Sequence, residues 1–451
     1  MLIRKENFHA YDIRGVYGSE IGEDFAYALG RALPVFLKEK KGIEAKAILV
    51  NRDVRAVSEP LMRSLIKGLL EGGVSIFDGG ISTSPMHYFA VGSFDVQAGV
   101  MVTPSHGAPG TCGFKISTKT ERIASDTGLL DVYEIMQKPF AEPGHVGTLR
   151  ELDILPQYAM FLQNQVHIPA FGGTLRVAID ASAGAAGKVL ERLLPSMRIE
   201  AAKLFFDADP DVRTHGTNPL KPESQQFVKE EIQKNYRDLG VVFDGDGDRA
   251  VFFDEYGREI PSDYVAALIA EEKLRSAQYR TILLDVNASR KSVEYIEGKK
   301  GVVKRARVGT AFFRNELEHD KSVLLGSESS GHYYYPEMFG NDGAILTFIY
   351  LVNIRASRGM PLSHLIAPFL ATFRSGELNF SVADKEGAVR RVQEAFPDGT
   401  ISTIDGLMVE YPDWRFTVRP SNTEDLVRVH VEADSQELLD RGKSQLEALL
   451  K

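Results

Sequence analysis

The 451-residue sequence predicts an α/β protein made of three successive α/β units and a smaller C-terminal α+β domain. One observation is a set of short apolar runs at residues 47–50, 177–180 and 282–285. Each run is continuous rather than alternating, which is typical of strands buried on both faces of a parallel sheet. A second observation is that a stretch with helical spacing of apolar residues stands next to each run. The third is a change to alternating apolar and polar residues near the C-terminus, at 426–432.

The helices of the three α/β units are predicted at 59–73, 183–194 and 264–277. The first follows its apolar run and ends in Gly-Gly, a common stop signal. The second helix also follows its apolar run, and the third helix precedes its apolar run. This alternation predicts α/β architecture, repeated about three times.

The C-terminal part follows a different pattern. A strand is predicted at 378–382, a helix at 387–396, and then two or three strands that end in 426–432, where valines alternate with polar residues. Asp434 followed by Glu437 resembles a capping box that starts the last helix. We interpret this part as a separate α+β domain.

These patterns place domain boundaries near Leu149, Pro261 and Phe369. The predicted domains are therefore 1–149, 150–260, 261–368 and 369–451, the first three α/β and the last α+β.

Composition and charge exclude several classes of protein. The formal net charge of −9 argues against broad nucleic-acid binding. No uninterrupted run of about 18 apolar residues suggests a membrane span, and the N-terminal segment has no apolar core of signal-peptide length. Cys112 is the only cysteine, so no intrachain disulfide and no cysteine-based zinc site can form within this chain. A cytoplasmic location is expected, with neither a nucleic-acid partner nor a membrane partner.

The strongest local signal is the loop Asp244-Gly-Asp246-Gly-Asp248-Arg249 between two apolar runs. Three carboxylates in one tight loop repel each other, and a divalent cation removes that repulsion. Hard oxygen ligands select Mg²⁺, Mn²⁺ or Ca²⁺. We therefore predict a metal site.

Two other interpretations of this loop are weaker. An EF-hand would use Asp244 as its first ligand and Glu255 as its last, but Arg249 stands where that motif needs glycine, and the flanks are strand-like. A solvated hairpin turn needs one Asp-Gly pair at most, not three spaced aspartates.

Three further loops carry groups that suit phosphate or sugar chemistry. Ser105 follows a short strand at 100–103, although on this segment alone a turn or capping serine is the better interpretation. Arg419 opens a polar loop that suits phosphate, with a simple polar turn as an equal alternative. His332 ends the loop Glu328-Ser-Ser-Gly-His, which offers donors and acceptors for sugar hydroxyls, although on its own a loop histidine with ordinary hydrogen-bond partners is the better interpretation.

Together these loops resemble those of the α-D-phosphohexomutase superfamily, in its phosphomannomutase/phosphoglucomutase type, over essentially the whole chain. The motifs that carry the resemblance are Ala10-Tyr11-Asp-Ile-Arg14-Gly15, Thr103-Pro-Ser105-His106 with Gly113-Phe-Lys115, Asp244-Gly-Asp-Gly-Asp-Arg249, Glu328-Ser-Ser-Gly-His332 and Arg419-Pro-Ser-Asn-Thr-Glu424. The resemblance implies three related α/β domains with mixed sheets and a C-terminal α+β domain, arranged around a central active-site cleft. It also implies a reversible transfer of phosphate between the 1- and 6-positions of mannose or glucose phosphate.

The family's roles carry over to matching positions. Ser105 would be the phosphoserine and, through its phosphate, a ligand of the Mg²⁺ held by Asp244, Asp246 and Asp248. The other roles fall to the following residues: Arg14, His106, Lys115 and Arg249 around the transferring phosphoryl group; His332 as a proton carrier; Tyr11, Glu328 and Ser330 at the sugar; Arg419, Ser421, Asn422 and Thr423 at the other phosphate. The resemblance further implies a hexose 1,6-bisphosphate activator such as glucose 1,6-bisphosphate, a hexose phosphate as partner, and a monomer.

The sequence departs from the family pattern at several positions around the site. These positions are Pro104, Gly107, Ala108, Cys112, Asn287, Thr310 and Asp425. They spare the serine and the aspartates but leave substrate preference open. A phosphoglucosamine mutase is one alternative, although its usual Gly-Thr-Asp-Gly motif does not match the Ala-Tyr-Asp here. A sugar-phosphate-binding protein without mutase activity is the other, because of Gly107 and Ala108.

Overall fold

The computed structural model describes residues 3–141, 144–169, 173–421 and 425–451. In this part of the chain the strands form four sheets, which follow one another along the sequence. We name the domains first to fourth after these sheets. The predicted fold class is confirmed: three mixed α/β domains precede an α+β domain.

The first domain has a six-stranded mixed sheet in the order β1-β5-β4-β2-β3-β6. Its elements are β1 (Ile13–Val16), α1 (Glu23–Lys41), β2 (Ala47–Arg52), α2 (Ser58–Glu71), β3 (Ser75–Ile81), α3 (Ser84–Ser93), β4 (Ala98–Val102), β5 (Thr111–Thr118), α4 (Leu129–Met136) and β6 (Leu149–Glu151). Strand β2 pairs in parallel with β3 and β4, as its continuous apolar run predicts. Strands β4 and β5 are antiparallel, and the loop between them carries the predicted nucleophile.

The second domain has the strand order β11-β10-β9-β7-β8. Its elements are α5 (Leu155–Gln163), β7 (Leu175–Asp180), α6 (Ala186–Leu193), β8 (Ile199–Leu204), α7 (Pro222–Asn235), β9 (Leu239–Phe243), β10 (Ala250–Phe253) and β11 (Glu259–Ile260). The Asp-rich loop joins the antiparallel pair β9 and β10, which confirms its strand flanks and excludes the helical flanks of an EF-hand.

The third domain has the strand order β13-β12-β14-β15. Its elements are α8 (Ser262–Leu274), β12 (Thr281–Asp285), α9 (Arg290–Gly298), β13 (Val302–Ala306), α10 (Thr310–His319), β14 (Val323–Ser327), β15 (Tyr333–Tyr334), α11 (Ala344–Arg358) and α12 (Leu362–Leu365). Strand β12 is parallel to both neighbours, again as its apolar run predicts.

The fourth domain is an antiparallel sheet in the order β16-β21-β20-β19-β18, with β17 also paired to β21. Its elements are β16 (Phe373–Arg374), β17 (Leu378–Ser381), α13 (Lys385–Ala395), β18 (Thr400–Ser402), β19 (Leu407–Glu410), β20 (Trp414–Pro420), β21 (Leu426–Ala433) and α14 (Gln436–Leu450).

The predicted capping box of the last helix is wrong by one residue. Ser435 is the N-cap of α14, and its hydroxyl accepts a hydrogen bond from the Leu438 amide. Asp434 is exposed and instead forms an ion pair with Arg290 of the third domain, 2.5 Å away. A serine is as good a cap as an aspartate, and the Asp434 side chain is used in the ion pair instead.

The apolar cores show how the domains are joined. One cluster runs through the second and third domains and reaches α3 of the first, for example at Phe89. The fourth domain has its own cluster around Trp414 and Phe416. Its attachment to the third domain is mainly polar, through groups such as Arg290 and Glu432. In the part of the chain that the structure describes, none of the helices combines the length and the apolar character that a membrane span requires.

Candidate active site

A cleft of about 970 Å³ lies where the four domains meet, and loops of all four domains line it. Most of the predicted site residues line this cleft: Tyr11, Arg14, Ser105, His106, Lys115, Asp248, Arg249, Glu328, Ser330, His332, Arg419 and Ser421. Asp244 and Asp246 lie directly behind its wall, fully buried.

The loop after β4 holds Ser105 in an unusual conformation. Its φ is +59°, a left-handed value that non-glycine residues rarely adopt, and only 2% of the residue is exposed. The Ser105 hydroxyl lies 3.3 Å from Asp244 Oδ2 and 3.1 Å from His106 Nδ1. Strain of this kind persists only where the surroundings fix it.

Two residues that the sequence analysis missed fix this loop. Buried Arg55 donates to the carbonyls of Ser105 (3.2 Å), Gly107 (2.6 Å) and Ala108 (3.0 Å). Asp53 accepts hydrogen bonds from the Arg55 amide and from Thr103 Oγ1 at 2.7 Å. The available signal was an Asp-x-Arg sequence directly after the buried strand β2, at the edge of the sheet where β4 also ends.

Asp244, Asp246 and Asp248 converge as predicted, each with a carboxylate oxygen within 4.8 Å of the others. Burial and the carboxylates of Asp248 and Asp246 raise the pKa of Asp244 well above its ordinary value. Asp246 Oδ1 is buried and accepts no hydrogen bond from any residue that the structure describes. An unsatisfied oxygen among convergent carboxylates fits a hard divalent cation, so these residues could hold Mg²⁺.

Lys115 on β5 reaches the same triad. Its ammonium lies 2.6 Å from Asp246 Oδ2 and 2.6 Å from Asp248 Oδ2. Although burial opposes the effect, these two carboxylates raise the pKa of Lys115 well above its ordinary value. The lysine is therefore a permanent positive charge beside the Asp triad.

Two arginines and a histidine line the same cleft as Ser105. Arg14 is oriented by Asp12, which accepts from its Nε at 2.9 Å and from its Nη2 at 2.7 Å. Arg249 lies 4.0 Å from Asp244. Arg249 and burial, with Arg14, lower the pKa of His106 well below its ordinary value, so its ring is neutral at pH 7.

The loop after β14 brings the predicted sugar-binding residues together. His332 Nε2 lies 3.3 Å from Asp248 Oδ1, which links this loop to the Asp triad. Its other ring nitrogen is 2.8 Å from the Ser330 hydroxyl. Glu328 accepts hydrogen bonds from the Tyr334 hydroxyl and from the Gly309 amide, the latter at 2.7 Å.

The turn at Val308 and Gly309 is held by three domains. The Tyr11 hydroxyl of the first domain donates to the Val308 carbonyl at 3.0 Å. The Val308 amide donates to Asp405 of the fourth domain at 3.1 Å. Burial and Glu328 raise the pKa of Tyr11 to about 12, so its hydroxyl stays a donor. Sequence reasoning missed Asp405, because a lone Asp-Gly pair in a turn carries no specific signal.

Arg419 lies at the end of β20, where its Nε is 3.6 Å from Asp405 Oδ2. Ser421 follows it, and both line the cleft. The predicted phosphate contacts Asn422 and Thr423 lie outside the described residues.

Two departures from the family pattern have clear structural consequences. A Cβ on Gly107 would lie 2.5 Å from Thr111 Oγ1, so a larger residue there requires the Thr111 side chain to move. Asn287 accepts a hydrogen bond from Thr417 at 2.8 Å and thus joins the third domain to the fourth. Thr310 is the first residue of α10 and lines the cleft.

Four family models match successive parts of the chain. Their descriptions are phosphoglucomutase/phosphomannomutase alpha/beta/alpha domain I (residues 5–141), domain II (156–257), domain III (261–373) and the C-terminal domain (377–449).

Curated relatives and a solved structure agree with these models. A phosphomannomutase of Escherichia coli is 32% identical, over 98% of this chain and 99% of the relative. A phosphomannomutase/phosphoglucomutase of Pseudomonas aeruginosa PAO1 is 29% identical, over 98% and 95%. The crystal structure of a phosphoglucomutase/phosphomannomutase family protein from Burkholderia thailandensis is 29% identical and has a TM-score of 0.91, covering 100% of this chain and 98% of that one.

Proposed function

Because this chain belongs to the phosphoglucomutase/phosphomannomutase family of the α-D-phosphohexomutase superfamily, we propose that it moves phosphate between the 1- and 6-positions of a hexose through a phosphorylated Ser105. The family is one of isomerase-type phosphotransferases, and the chain is an enzyme that acts on hexose phosphates. The observation that carries the phosphoserine is the Ser105 hydroxyl, displayed on a strained loop 3.3 Å from Asp244.

The transfer runs in two steps. In the first, a free hydroxyl of the sugar phosphate attacks the phosphorus on Ser105. The Oγ–P bond breaks, Ser105 Oγ leaves with the electron pair, and the hydroxyl proton passes to His332. The product is a hexose 1,6-bisphosphate. In the second step Ser105 Oγ attacks the other phosphate of that bisphosphate, and the sugar oxygen it displaces takes the proton back from His332.

Positive side chains stabilise the transferring group. Arg14, Arg249 and Lys115 surround the place where its negative charge spreads over the equatorial oxygens, and a preformed set of charges does not need to reorganise during the reaction. When Mg²⁺ is bound, Asp244, Asp246 and Asp248 would hold it with an oxygen of the Ser105 phosphate, and the ion would neutralise charge on that phosphate.

The remaining residues hold the substrate. Glu328 and Ser330 accept and donate hydrogen bonds to sugar hydroxyls, and Tyr11 contacts the substrate beside them. Arg419 and Ser421 grip the phosphate that is not transferred, together with Asn422 and Thr423. Glucose 1,6-bisphosphate acts as the activator, because it can phosphorylate an unloaded Ser105.

The proposal is tested by phosphorus NMR of the purified protein with Mg²⁺ and a trace of glucose 1,6-bisphosphate. Mannose 1-phosphate and glucose 1-phosphate are offered separately, and conversion of either to its 6-phosphate is expected. Ser105→Ala should abolish conversion and keep the fold, whereas Ser125→Ala, at an exposed serine of the same domain, should keep both.

Each other outcome has a meaning. Near-normal turnover by Ser105→Ala contradicts the mechanism. If neither sugar is converted although mass spectrometry finds a phosphoserine, glucosamine phosphate becomes the substrate to test. If neither turnover nor phosphoserine is found, the chain is a sugar-phosphate-binding protein.

A further inference from the structure

The Asp-rich loop of the second domain lies against the start of helix α3, which belongs to the first domain. Thr83 is the N-cap of α3, and Ser84 is its first residue. A Cβ on Gly247 would lie 3.0 Å from Thr83 Cγ2, so the loop approaches the helix closely. Ser84 is fully buried and does not line the cleft. Any effect of Ser84 on the reaction must therefore pass through a neighbouring side chain.

That neighbour is Asp246, which Ser84 contacts at two points. The Ser84 hydroxyl donates to Asp246 Oδ2 at 2.5 Å, and the Ser84 amide donates to the Asp246 carbonyl at 2.9 Å. The Lys115 ammonium lies 3.3 Å from Ser84 Oγ. Because a lysine ammonium can only donate, Ser84 Oγ accepts from Lys115 and directs its own hydrogen to Asp246. One residue of the first domain thus holds both the backbone and the side chain of a predicted metal ligand in the second.

These contacts give the two carboxylate oxygens of Asp246 different roles. Oδ2 accepts hydrogen bonds from Ser84 and from Lys115, the latter at 2.6 Å. Oδ1 is buried and has no donor among the described residues. Since two donors occupy the lone pairs of Oδ2, a cation at the triad would bind Asp246 through Oδ1. Hydrogen bonds of this kind orient metal ligands, and the loss of one typically lowers metal affinity about 10- to 100-fold.

A purely structural role for Ser84 is the alternative, because a buried serine also donates to an aspartate elsewhere in the fold. Ser292 of α9 is fully buried, and its hydroxyl donates to Asp263 Oδ2 at 2.7 Å. Two features distinguish Ser84 from Ser292. Its acceptor belongs to three carboxylates that converge within 4.8 Å, and its hydroxyl also contacts the lysine that joins Asp246 to Asp248.

We propose that Ser84 is a positioning residue of the cation site, which fixes the Asp246 carboxylate so that Oδ1 is available to the ion. The ligand class is a hard divalent cation, Mg²⁺ in the proposed reaction. This inference rests on the proposed function, because the ion takes part in that reaction. The affinity for the ion is then set partly by the first domain, although the three carboxylates belong to the second.

The test measures the binding of Mn²⁺ alone, without substrate or turnover. Mn²⁺ prefers the same oxygen ligands as Mg²⁺, and free Mn²⁺ is counted by EPR. The purified protein is treated with EDTA, desalted and titrated with Mn²⁺, and competition with Mg²⁺ gives the Kd of Mg²⁺. In Ser84→Ala the Kd of both ions should rise about tenfold or more. The Mg²⁺ concentration that gives half-maximal turnover should rise in parallel.

Matched variants separate the positioning of Asp246 from folding. Ser292→Ala deletes the same hydroxyl from a buried serine–aspartate pair outside the triad, so it should lose stability in urea denaturation but keep the Kd for Mn²⁺. Ser84→Thr keeps a hydroxyl and should keep most of the affinity. If Ser84→Ala does not fold, Ser84→Cys, which replaces the hydroxyl with a weak S–H donor, should show the same direction of change.

Three results would overturn the inference. The first is a Kd for Mn²⁺ in Ser84→Ala within about twofold of that of the unaltered protein. The second is an equal rise in Ser292→Ala, which would make the loss of affinity a general effect of lower stability. The third is an unaltered protein that binds no Mn²⁺. Failure of the proposed function is visible separately, because the unaltered protein would then convert no hexose phosphate while the Mn²⁺ titration still reports on Ser84.

Discussion

At the scale of single residues, the conformation of Ser105 depends on two side chains that do not line the cleft, Arg55 and Asp53. Arg55 is 4% exposed and holds three carbonyls of the serine loop, while Asp53 balances its charge. The strained φ of Ser105 persists because Arg55 holds the carbonyls at and after it, while Asp53 holds the Thr103 hydroxyl that accepts from the Ser105 amide.

Replacing Arg55 tests this dependence. Arg55→Met removes the donors and leaves Asp53 buried without its cation, which should lower the free energy of unfolding by about 3 kcal/mol. Turnover should fall about a hundredfold, since a misplaced nucleophile loses the benefit of orientation. Urea denaturation and the NMR assay measure the two effects. The control is Arg63→Met, whose side chain is 78% exposed in a surface ion pair and should cost less than about 1 kcal/mol. Full turnover in Arg55→Met would contradict the argument.

The Asp triad makes a second prediction at this scale. Without a cation, the buried carboxylates repel each other, which the raised pKa of Asp244 reflects. Mg²⁺ at saturating concentration should therefore raise the melting temperature by about 3 °C relative to EDTA. In Asp246→Asn the increase should shrink or vanish, while the exposed Asp211→Asn should keep it. An equal increase in both variants would place the cation elsewhere.

Sequence reasoning found the residues that belong to motifs and missed those that act through position alone. Ser105 and His332 stand in loops that resemble those of a known family, and the three aspartates stand in a spaced pattern that chemistry explains. Asp53 stands in no such pattern, because its contact with Thr103 depends on the parallel pairing of β2 with β4.

At the scale of elements, the turn between β13 and α10 connects three domains. Gly309 has a φ of +141°, and a Cβ there would lie 2.6 Å from the Tyr11 ring. The same turn donates its amide to Glu328, a predicted sugar ligand. Any shift of this turn should therefore reach the substrate.

Gly309→Ala tests the turn. Backbone strain and the clash with Tyr11 should move Glu328 and lower kcat/KM about tenfold. The matched control is Gly298→Ala at the end of α9, where an added Cβ meets nothing within 4 Å. It should leave kcat/KM unchanged. A Gly309→Ala protein with normal kinetics would show that the turn adapts without cost.

Elements were predicted well where their pattern was strong. The apolar runs at 47–50, 177–180 and 282–285 all lie in parallel strands, because burial on both faces leaves no room for polar residues. The predicted start of α14 is wrong by one residue, since Asp434 and Ser435 are both good caps and the sequence does not show that Asp434 pairs with Arg290.

At the scale of the whole molecule, the fourth domain is separate in its core and joined to the third by charges. Glu432 of β21 is central to this junction. It accepts hydrogen bonds from the Arg290 amide at 3.1 Å, from Thr372 at 2.9 Å and from Arg415 at 2.9 Å. Sequence reasoning could not find this cluster, because its members lie on segments that only the folded chain brings together.

Lowering the pH should therefore destabilise the fourth domain before the other three domains. Although burial opposes the effect, Arg415, Ser289 and Arg374 lower the pKa of Glu432 from 4.5 to about 2. Because the pKa of Glu432 is lower in the folded protein than in the unfolded protein, ionised Glu432 stabilises the fold. This contribution is complete above pH 4.5 and is lost as the pH falls towards 2. At ~1.4 kcal/mol for each tenfold change in proton affinity, the contribution of Glu432 to the free energy of unfolding is about 3 kcal/mol.

The single tryptophan, Trp414, lies in the core of this domain opposite Ala433 and reports its unfolding. For the unaltered protein, the urea concentration at the midpoint of unfolding, followed by tryptophan fluorescence, should decrease as the pH is lowered from 4.5 to 2. In Glu432→Gln the midpoint should be lower at pH 7 and depend less on pH in this window, because the group that titrates is gone. Glu437→Gln, at an exposed glutamate of α14, should keep the original slope. If Glu432→Gln keeps that slope as well, other carboxylates hold the fourth domain, and the polar junction around Glu432 does not control its release.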